Sequence, residues 1–367
     1  MKHSLPTLLG ALACALPITF QSSVSAQGCV AVRGGGMCSL HLGEPGADVE
    51  ENPWLASVSY RYIHSFRHFV GDVEQLQRAA AANQVINHSH FIDFGAQYRI
   101  NSHWDVAVTL PFVTSTRSQV VGTPGTRFET SSSGIGDARL TGYYWIFDPK
   151  KEPKGNIQIG LGLKAPTGDH NVQDTFLTAN GTTTVRAVDQ SIQPGDGGWG
   201  TSIELNAFRE LMPRTVAFLQ ASYLLNPEDT NGTVTGRFRN DPKTAGYYEN
   251  LMSIPDQYFV RGGLGYNLVP KWGLTVSLAG RLEGVPVNDL LGASDGFRRP
   301  GFGVSIDPGI QIAKGRFTFN VNVPFALYRN RERSVADQLA TAAKGSDVHG
   351  DAAFADYVVT AAIGIRF

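Results

Sequence analysis

The chain lacks most of what marks a soluble enzyme, a nucleic-acid binder or a helical membrane protein. Only 17% of its 367 residues are charged, against about 25% in an average soluble chain. The formal net charge is −1, so no basic excess points to nucleic acid. A helical membrane protein needs several apolar runs of about 20 residues, and the one candidate run, 5–20, lies at the very start. Cysteine is limited to Cys14, Cys29 and Cys38. Glycine, by contrast, is plentiful at 41 residues, and mean hydropathy is close to neutral at −0.12. Low charge, high glycine and neutral hydropathy without membrane helices describe a chain that alternates polar with apolar residues.

The N-terminus reads as an address. Lys2 and His3 precede the apolar run, and Val24-Ser25-Ala26 follows it. A charged start, an apolar centre and a small-x-small site make a secretory signal peptide over 1–26, cleaved after Ala26. The run is too short and too broken by proline to serve as an anchor. Cys14 leaves with the signal. Cys29 and Cys38 then share an oxidising compartment and are expected to close a small disulfide loop. A zinc site there would need two further ligands, and only His41 is near, so no metal and no cofactor are expected. Segment 27–53 either lies in the periplasm or plugs the domain that follows.

From residue 54 onward, period-two alternation recurs. The last segment is the clearest: Tyr357, Val359, Ala361, Ile363, Ile365 and Phe367 form one face, and Asp356, Val358, Thr360, Gly364 and Arg366 the other. Strands are predicted over 54–70, 87–100, 104–118, 134–147, 156–169, 198–211, 215–227, 256–268, 272–287, 301–312, 316–330 and 352–367. The connections between them alternate strictly. Segments 71–86, 119–133, 170–197, 228–255, 288–300 and 331–351 are long, and those between them are short. Short turns at one end and long loops at the other, with an even strand number, describe an outer-membrane barrel. The predicted fold is therefore all-β: a transmembrane antiparallel up-and-down β-barrel of about twelve strands over 54–367.

Charge placement supports this. A Lys or Arg facing lipid at mid-bilayer costs about 2–4 kcal/mol, so strand charges should share one parity. Arg61, Asp93, Asp137, Arg139, Lys164, Glu204, Arg261, Arg281, Glu283, Asp307 and Asp356 do, together with Arg99 and Asp105. These are the candidate lumen or constriction residues. Cross-strand opposition suggests the pairs Arg261–Glu283, Arg281–Asp307 and Asp137–Lys164, with Arg61 between Asp93 and Asp356. A paired network filling a narrow barrel and a filter for solutes can be the same residues. Arg209 breaks the parity, but beside a short turn. Trp54, Tyr98, Trp104, Trp272 and Phe367 sit at one set of strand ends, where a periplasmic aromatic girdle belongs.

A lipid hydrolase needs a serine beside a histidine base. His64, His68, His88 and His90 share the outward parity, whereas Ser65 and Ser89 fall on the other. No catalytic residues are assigned and no enzyme is expected. Gly134-Ile-Gly136-Asp137 and Gly160-Leu-Gly162 lie inside strands, so they lack the strand-to-helix turn of a phosphate loop.

Ser133-Gly-Ile-Gly-Asp-Ala-Arg-Leu140 with Tyr143-Tyr144-Trp145, and then Gly160-Leu-Gly-Leu-Lys-Ala-Pro-Thr-Gly-Asp169, resemble two consecutive strands of the MetA-pathway phenol-degradation family. The terminal Phe367 likewise resembles the signal read by the barrel-assembly machinery. The resemblance implies an outer-membrane barrel of transporter type and transfers no binding residues. The expected function is passive passage of small solutes, hydrophobic or aromatic compounds among them, across the bacterial outer membrane. The alternative is a structural or adhesive barrel with a blocked lumen that acts through its external loops. The expected partners are outer-membrane lipids, the assembly machinery and a small-molecule solute, with no nucleic acid.

Overall fold

The computed structural model describes residues 52–122 and 125–367, together with the backbone of Gln27–Gly28. The signal peptide and the Cys29–Cys38 disulfide lie outside the described residues, as does nearly all of segment 27–53.

Twelve crossings follow one another: β1 (Trp54–Val70), β2 (Ile86–Arg99), β3 (Trp104–Val121), β4 (Thr126–Ile135 and Arg139–Trp145), β5 (Gly155–Lys164), β6 (Gly200–Met212), β7 (Thr215–Leu225), β8 (Gln257–Val269), β9 (Leu274–Val285), β10 (Gly301–Lys314), β11 (Phe317–Asn322 and Phe325–Arg331) and β12 (Ala352–Arg366). Sequence neighbours pair antiparallel, and β12 pairs with β1 from Leu55↔Arg366 to Phe69↔Ala352, which closes the sheet on itself.

Strand β5 shows why the sequence folds this way. Ile157, Ile159, Leu161 and Leu163 alternate with Asn156, Gln158, Gly160, Gly162 and Lys164. The apolar set is exposed and the polar set buried, because successive side chains of a strand point to opposite faces. In a protein surrounded by water the two faces would be reversed. Val108, Leu110, Leu264, Leu278, Ile306 and Ile363 extend the exposed apolar surface around the wall. A continuous band of this kind is stable only against hydrocarbon. No helix among the described residues is long and apolar enough to cross a membrane; the crossing is made by strands.

Leu161 is 64% exposed at the centre of β5. Leu161→Arg should therefore destabilise the barrel by about 2–4 kcal/mol, measured by reversible urea unfolding in phospholipid vesicles. Unchanged stability would mean that this face does not meet lipid.

The long connections carry structure of their own. They include α1 (Leu76–Ala80), the hairpin of Gln173–Leu177 with Thr183–Ala187, the pair Thr230–Val234 with Leu251–Ser253, and α2 (Val335–Lys344). Helix α2 is delimited by a capping box between Ser334 and Asp337 and by left-handed Gly345 at its C-terminal end. Val188, Ile192, Ile254 and Phe297 are buried among these loops, so the loops pack as a cap.

Three boundaries differ from expectation. Segment 119–133 is not a loop: β3 and β4 run on to Val121 and from Thr126 as a paired hairpin, with Ser115↔Ser132 and Thr116↔Ser131 in register. Its Ser and Thr residues are polar on both faces, which hid the alternation, yet they suit a solvated strand. Strand β5 ends at Lys164 and not at 169, because Pro166 offers no N–H to extend the ladder. Trp272 lies in a 3-10 turn, Pro270–Trp272, before β9 begins at Leu274.

Candidate functional site: the charged lumen and its cap

The inward faces of β1, β2, β8, β9 and β10 place a cluster of charge across the middle of the barrel. Asp307 on β10 is 0% exposed and accepts from Arg261 Nε at 2.8 Å and from Asn322 Nδ2 at 3.0 Å. Arg281 Nη1 lies 4.0 Å from the same carboxylate, and Arg281 also holds Glu283 at 2.9 Å. The expected Arg261–Glu283 pair does not form. In the β8–β9 register Arg261 stands directly opposite Arg281, and Phe259 opposite Glu283. The two guanidiniums therefore lie side by side: Asp307, opposite Ala279 on the next strand, pairs with Arg261 and reaches Arg281, and Glu283 supplies the second negative charge. Each arginine also covers an aromatic ring, Arg261 over Phe218 and Arg281 over Phe259, both at 4.9 Å.

Arg61, buried on β1, stacks 4.5 Å over Phe91 and lies within electrostatic reach of Asp93, Glu283, Arg281 and Arg139. Those partners come from β2, β9 and β4, so the cluster spans the lumen. Asp93 accepts from Ser59 Oγ at 3.1 Å. Asp356 does not pair with Arg61. It binds Arg67 at 2.6 Å and Arg329 at 2.7 Å, because irregularities at Ile63/Ser65 and Ser65/Arg67 shift the β1–β12 register above Arg61.

The glycine-aspartate motifs meet at one point. The Asp137 carboxylate interrupts β4 and accepts from Gly168 N–H at 3.0 Å and Asp196 N–H at 2.9 Å. Gly195 N–H donates to the Asp169 carbonyl at 2.9 Å. A Cβ on Gly195 would stand 2.5 Å from the Gly168 carbonyl oxygen, so both positions must be glycine. Lys164 is held by Asp196 and not by Asp137 as expected; Asp137 is occupied by backbone donors. Arg139 faces Lys164 across the β4–β5 ladder. Four residues along the same ladder, Tyr143 lies opposite Gly160, and its hydroxyl donates to Glu204 on β6 at 2.7 Å. The missing side chain at Gly160 is what lets the ring lie flat there: an added Cβ would stand 2.7 Å from it.

Asp137→Ala should leave two buried amides without acceptors, at about 1–3 kcal/mol each. Hydrogen exchange at Gly168 and Asp196 should accelerate selectively. Unchanged protection at both would show that Asp137 is not the tie.

At the periplasmic end the inward-parity Asp105 takes Arg99, Trp145 Nε1 at 2.9 Å and Gln158 Nε2 at 3.2 Å. Several other charged side chains were not singled out from the sequence. At the outer end Arg67 holds Glu74 at 2.5 Å. Arg329 turns inward because a β-bulge between β10 and β11 shifts the parity after Ala326; Pro324 was the only sequence signal of that break. Above them, in the cap, Asp189 accepts from Arg299 Nη2 at 2.7 Å and from Ser191 N–H at 3.0 Å, with Arg117 at 3.8 Å. Burial alone would raise the Asp189 carboxyl; the Arg117 and Arg299 guanidiniums and the Ser191 amide outweigh it and hold the group well below the usual carboxylate range. Burial pushes Arg299 in the opposite sense from its partner, down from the ordinary arginine value. Arg237 and Arg299 sandwich Phe297 at 4.3 and 4.4 Å.

The outer face of β1 and β2 carries a ladder of rings. Tyr60 bonds His90 and Tyr62 bonds His88, each at 2.8 Å, and His64 stacks on His88 at 4.3 Å. Ser65 and Ser89 are buried on the opposite face, so neither of them meets these histidines. His68 is not outward: it is buried between Asp351, 3.2 Å away, and the Val85 amide. At the other membrane level Trp54 packs on Tyr98 and Trp104 on Tyr144, with ring centroids 4.7 and 4.9 Å apart. Phe367 is exposed and exchanges reciprocal backbone hydrogen bonds with Trp54, each 2.9 Å.

A closed twelve-strand wall, apolar outside and charged inside, has counterparts among solved structures. The chain is similar to an outer membrane channel from Pseudomonas putida F1, with a TM-score of 0.54 and 10% identity over 86% of this chain and 96% of that one. It shares the fold of an outer-membrane channel. Likenesses to the monoaromatic hydrocarbon channel CymD (TM-score 0.41, 10% identity, 86% of this chain and 89% of that one) and to the P. putida toluene transporter TodX (0.41, 8%, 88% and 91%) are too distant to carry an argument. No family model matches the chain, and no curated protein matches it.

Proposed function

We propose that the protein is an outer-membrane channel for passive passage of small solutes, hydrophobic and aromatic compounds among them, and not an enzyme. The observation that carries this reading is the lumen itself. Charged and polar side chains line a closed barrel from Asp105 near the periplasmic mouth to Asp356 near the cap. A wall meant only to hold a membrane position could be filled with apolar side chains at lower cost. Buried polar atoms of Ser115, Gln311 and Thr360 on the inward face have no protein partner, which suits a lumen that admits water. The convergence of the two resemblance motifs at Asp137 supports a place near the MetA-pathway phenol-degradation family. Outer-membrane lipids and the barrel-assembly machinery complete the proposed partners, and the lumen-facing charges from Arg61 to Asp356 are the proposed constriction.

The test is a planar-bilayer recording on the purified mature protein. Discrete conductance steps in potassium chloride are expected, with toluene or phenol flux in loaded vesicles. A folded barrel that gives neither, with residues 27–53 present or deleted, overturns the reading. The densely bonded cap favours a second reading, a sealed barrel that acts through its loops; that reading requires absent flux and a partner lost on loop deletion.

A further inference from the structure

The cap gathers more positive charge than negative. Asp189 stands within electrostatic reach of Arg117, Arg299 and Arg237, and Arg186 within reach of Asp189 and Arg239. These five guanidiniums come from β3 and from the loops over 170–197, 228–255 and 288–300. Two carboxylates answer them directly: Asp189 binds Arg299 at 2.7 Å, and Glu249 binds Arg237 at 3.0 Å. Asp174 faces Arg186 across the hairpin ladder, but its carboxylate accepts from the Ser131 and Thr175 amides, at 2.8 and 2.7 Å. Even with Asp174 counted, positive charge is in surplus.

Arg186 is the member without a partner. Its guanidinium lies 4.0 Å over the ring of Phe176, which is itself buried against Val188 and Ile192. Gly236 makes room for the head group, since a Cβ there would collide with Arg186 Nη1. So placed, the side chain makes no hydrogen bond or ion pair among the described residues, and its Nε is buried without an acceptor. Arg299 Nε, on a side chain only 5% exposed, is buried without an acceptor too. An arginine stripped of water keeps its charge, so orphaned donors of this kind are costly until an anion meets them. The corner is open on one side: Arg186 is half-buried, and Gly236 and Arg239 are exposed. Arg239 Nη1 donates to the Arg237 and Phe238 carbonyls at 3.1 and 3.0 Å, which leaves its charge without a carboxylate.

We propose that this corner of the cap is a binding site for a phosphate-type oxyanion, centred on Arg186, with Arg239 on its exposed side and the Asp189–Arg299 pair behind it. Guanidinium forks match phosphate oxygens. Donors that arrive from two different loops suit a tetrahedral anion better than a planar carboxylate, which one fork can satisfy. The bound anion ties the loop over 170–197 to the loop over 228–255. The phosphate can be free in the medium or carried on a lipid headgroup; the recognising chemistry is the same. Binding here is independent of whether the lumen conducts.

The test is calorimetric titration of the purified, detergent-solubilised full chain with inorganic phosphate at neutral pH. One saturable site is expected, with acetate at least tenfold weaker. Arg186→Gln should weaken phosphate at least tenfold. Gly236→Ala changes no charge but displaces the Arg186 head group, and should weaken binding several-fold. Arg333→Gln removes an exposed cation elsewhere in the external loops and should leave binding within twofold. Heat-modifiable migration on a gel checks that each variant is folded; if Arg186→Gln fails to fold, Gly236→Ala and Arg239→Gln carry the test. A second titration uses mixed micelles of phosphatidic acid, with phosphatidylcholine alone as the blank. Binding of free phosphate supports the proposal with the medium as source; binding of phosphatidic acid alone supports it with a headgroup as source. The proposal is overturned if neither binds, if a folded Arg186→Gln variant binds as the wild type does, or if Arg333→Gln weakens binding as much as Arg186→Gln.

Discussion

Asp307→Ala should destabilise the barrel by about 3–5 kcal/mol, the cost of leaving buried charge uncompensated when one partner of a buried pair is removed. Arg261 and Arg281 stand opposite each other; Asp307 is the partner of Arg261 and lies within reach of Arg281, which also holds Glu283. Loss of Asp307 brings two cations into mutual repulsion and strips Asn322 of its acceptor. Urea titration in vesicles measures the first effect. The second appears in ion selectivity: under a potassium chloride gradient the reversal potential should move toward anions, because the middle of the lumen loses its most buried negative charge. Arg261→Met combined with Asp307→Ala should recover much of the stability, since removing both partners is far milder than removing one. If the single variant unfolds at the wild-type urea concentration, the two arginines are hydrated and the cluster is not a dry network.

The second large effect belongs to the cap. Asp189 ties the loop over 170–197 to Arg299 of the loop over 288–300 and to Arg117 at the top of β3. Asp189→Ala leaves two buried guanidiniums facing each other, so the loops should separate at a cost of about 3–5 kcal/mol. Limited proteolysis within 170–197 should accelerate more than tenfold, and single-channel conductance should rise if the cap restricts the path. The pH dependence has a definite sign. The folded carboxyl titrates below the unfolded one, so its stabilisation is present above the ordinary carboxylate range and disappears as pH falls through the depressed folded value. Between neutral pH and about pH 5 the cap should therefore stay closed, with loosening confined to stronger acid. Opening between pH 7 and 5 would place the latch on a group other than Asp189.

Most of the wall was legible because lipid enforces parity. An outward charge is expensive and an inward apolar residue is wasted, so β5, β8 and β12 read directly from alternation. The pairing of charges was less legible. Parity places Arg261, Glu283 and Asp307 inside, but a shift of one inward step in register decides whether Arg261 meets Glu283 or Arg281. That shift depends on short turns such as Pro270–Trp272, whose geometry alternation does not encode. Bulges hid more: Arg329 and Arg67 changed face or partner where the ladders slip. The cap was invisible for a different reason. Its residues have no period, and Asp189 meets Arg299 from 110 residues away. The two glycine-aspartate motifs announced themselves, but their use as interlocking turns required the third one, Gly195-Asp196, which lies in a loop.

The closing contact of the barrel joins Leu55 to Arg366, almost the full length of the described chain. Chain entropy makes so distant a contact slow to form. Until it forms, β1 and β12 each present an unpaired edge, and unpaired edges recruit other chains. The reciprocal Trp54–Phe367 bonds therefore act as a clasp: the ring is vulnerable while it is a ribbon, and the clasp marks the moment at which it stops being one.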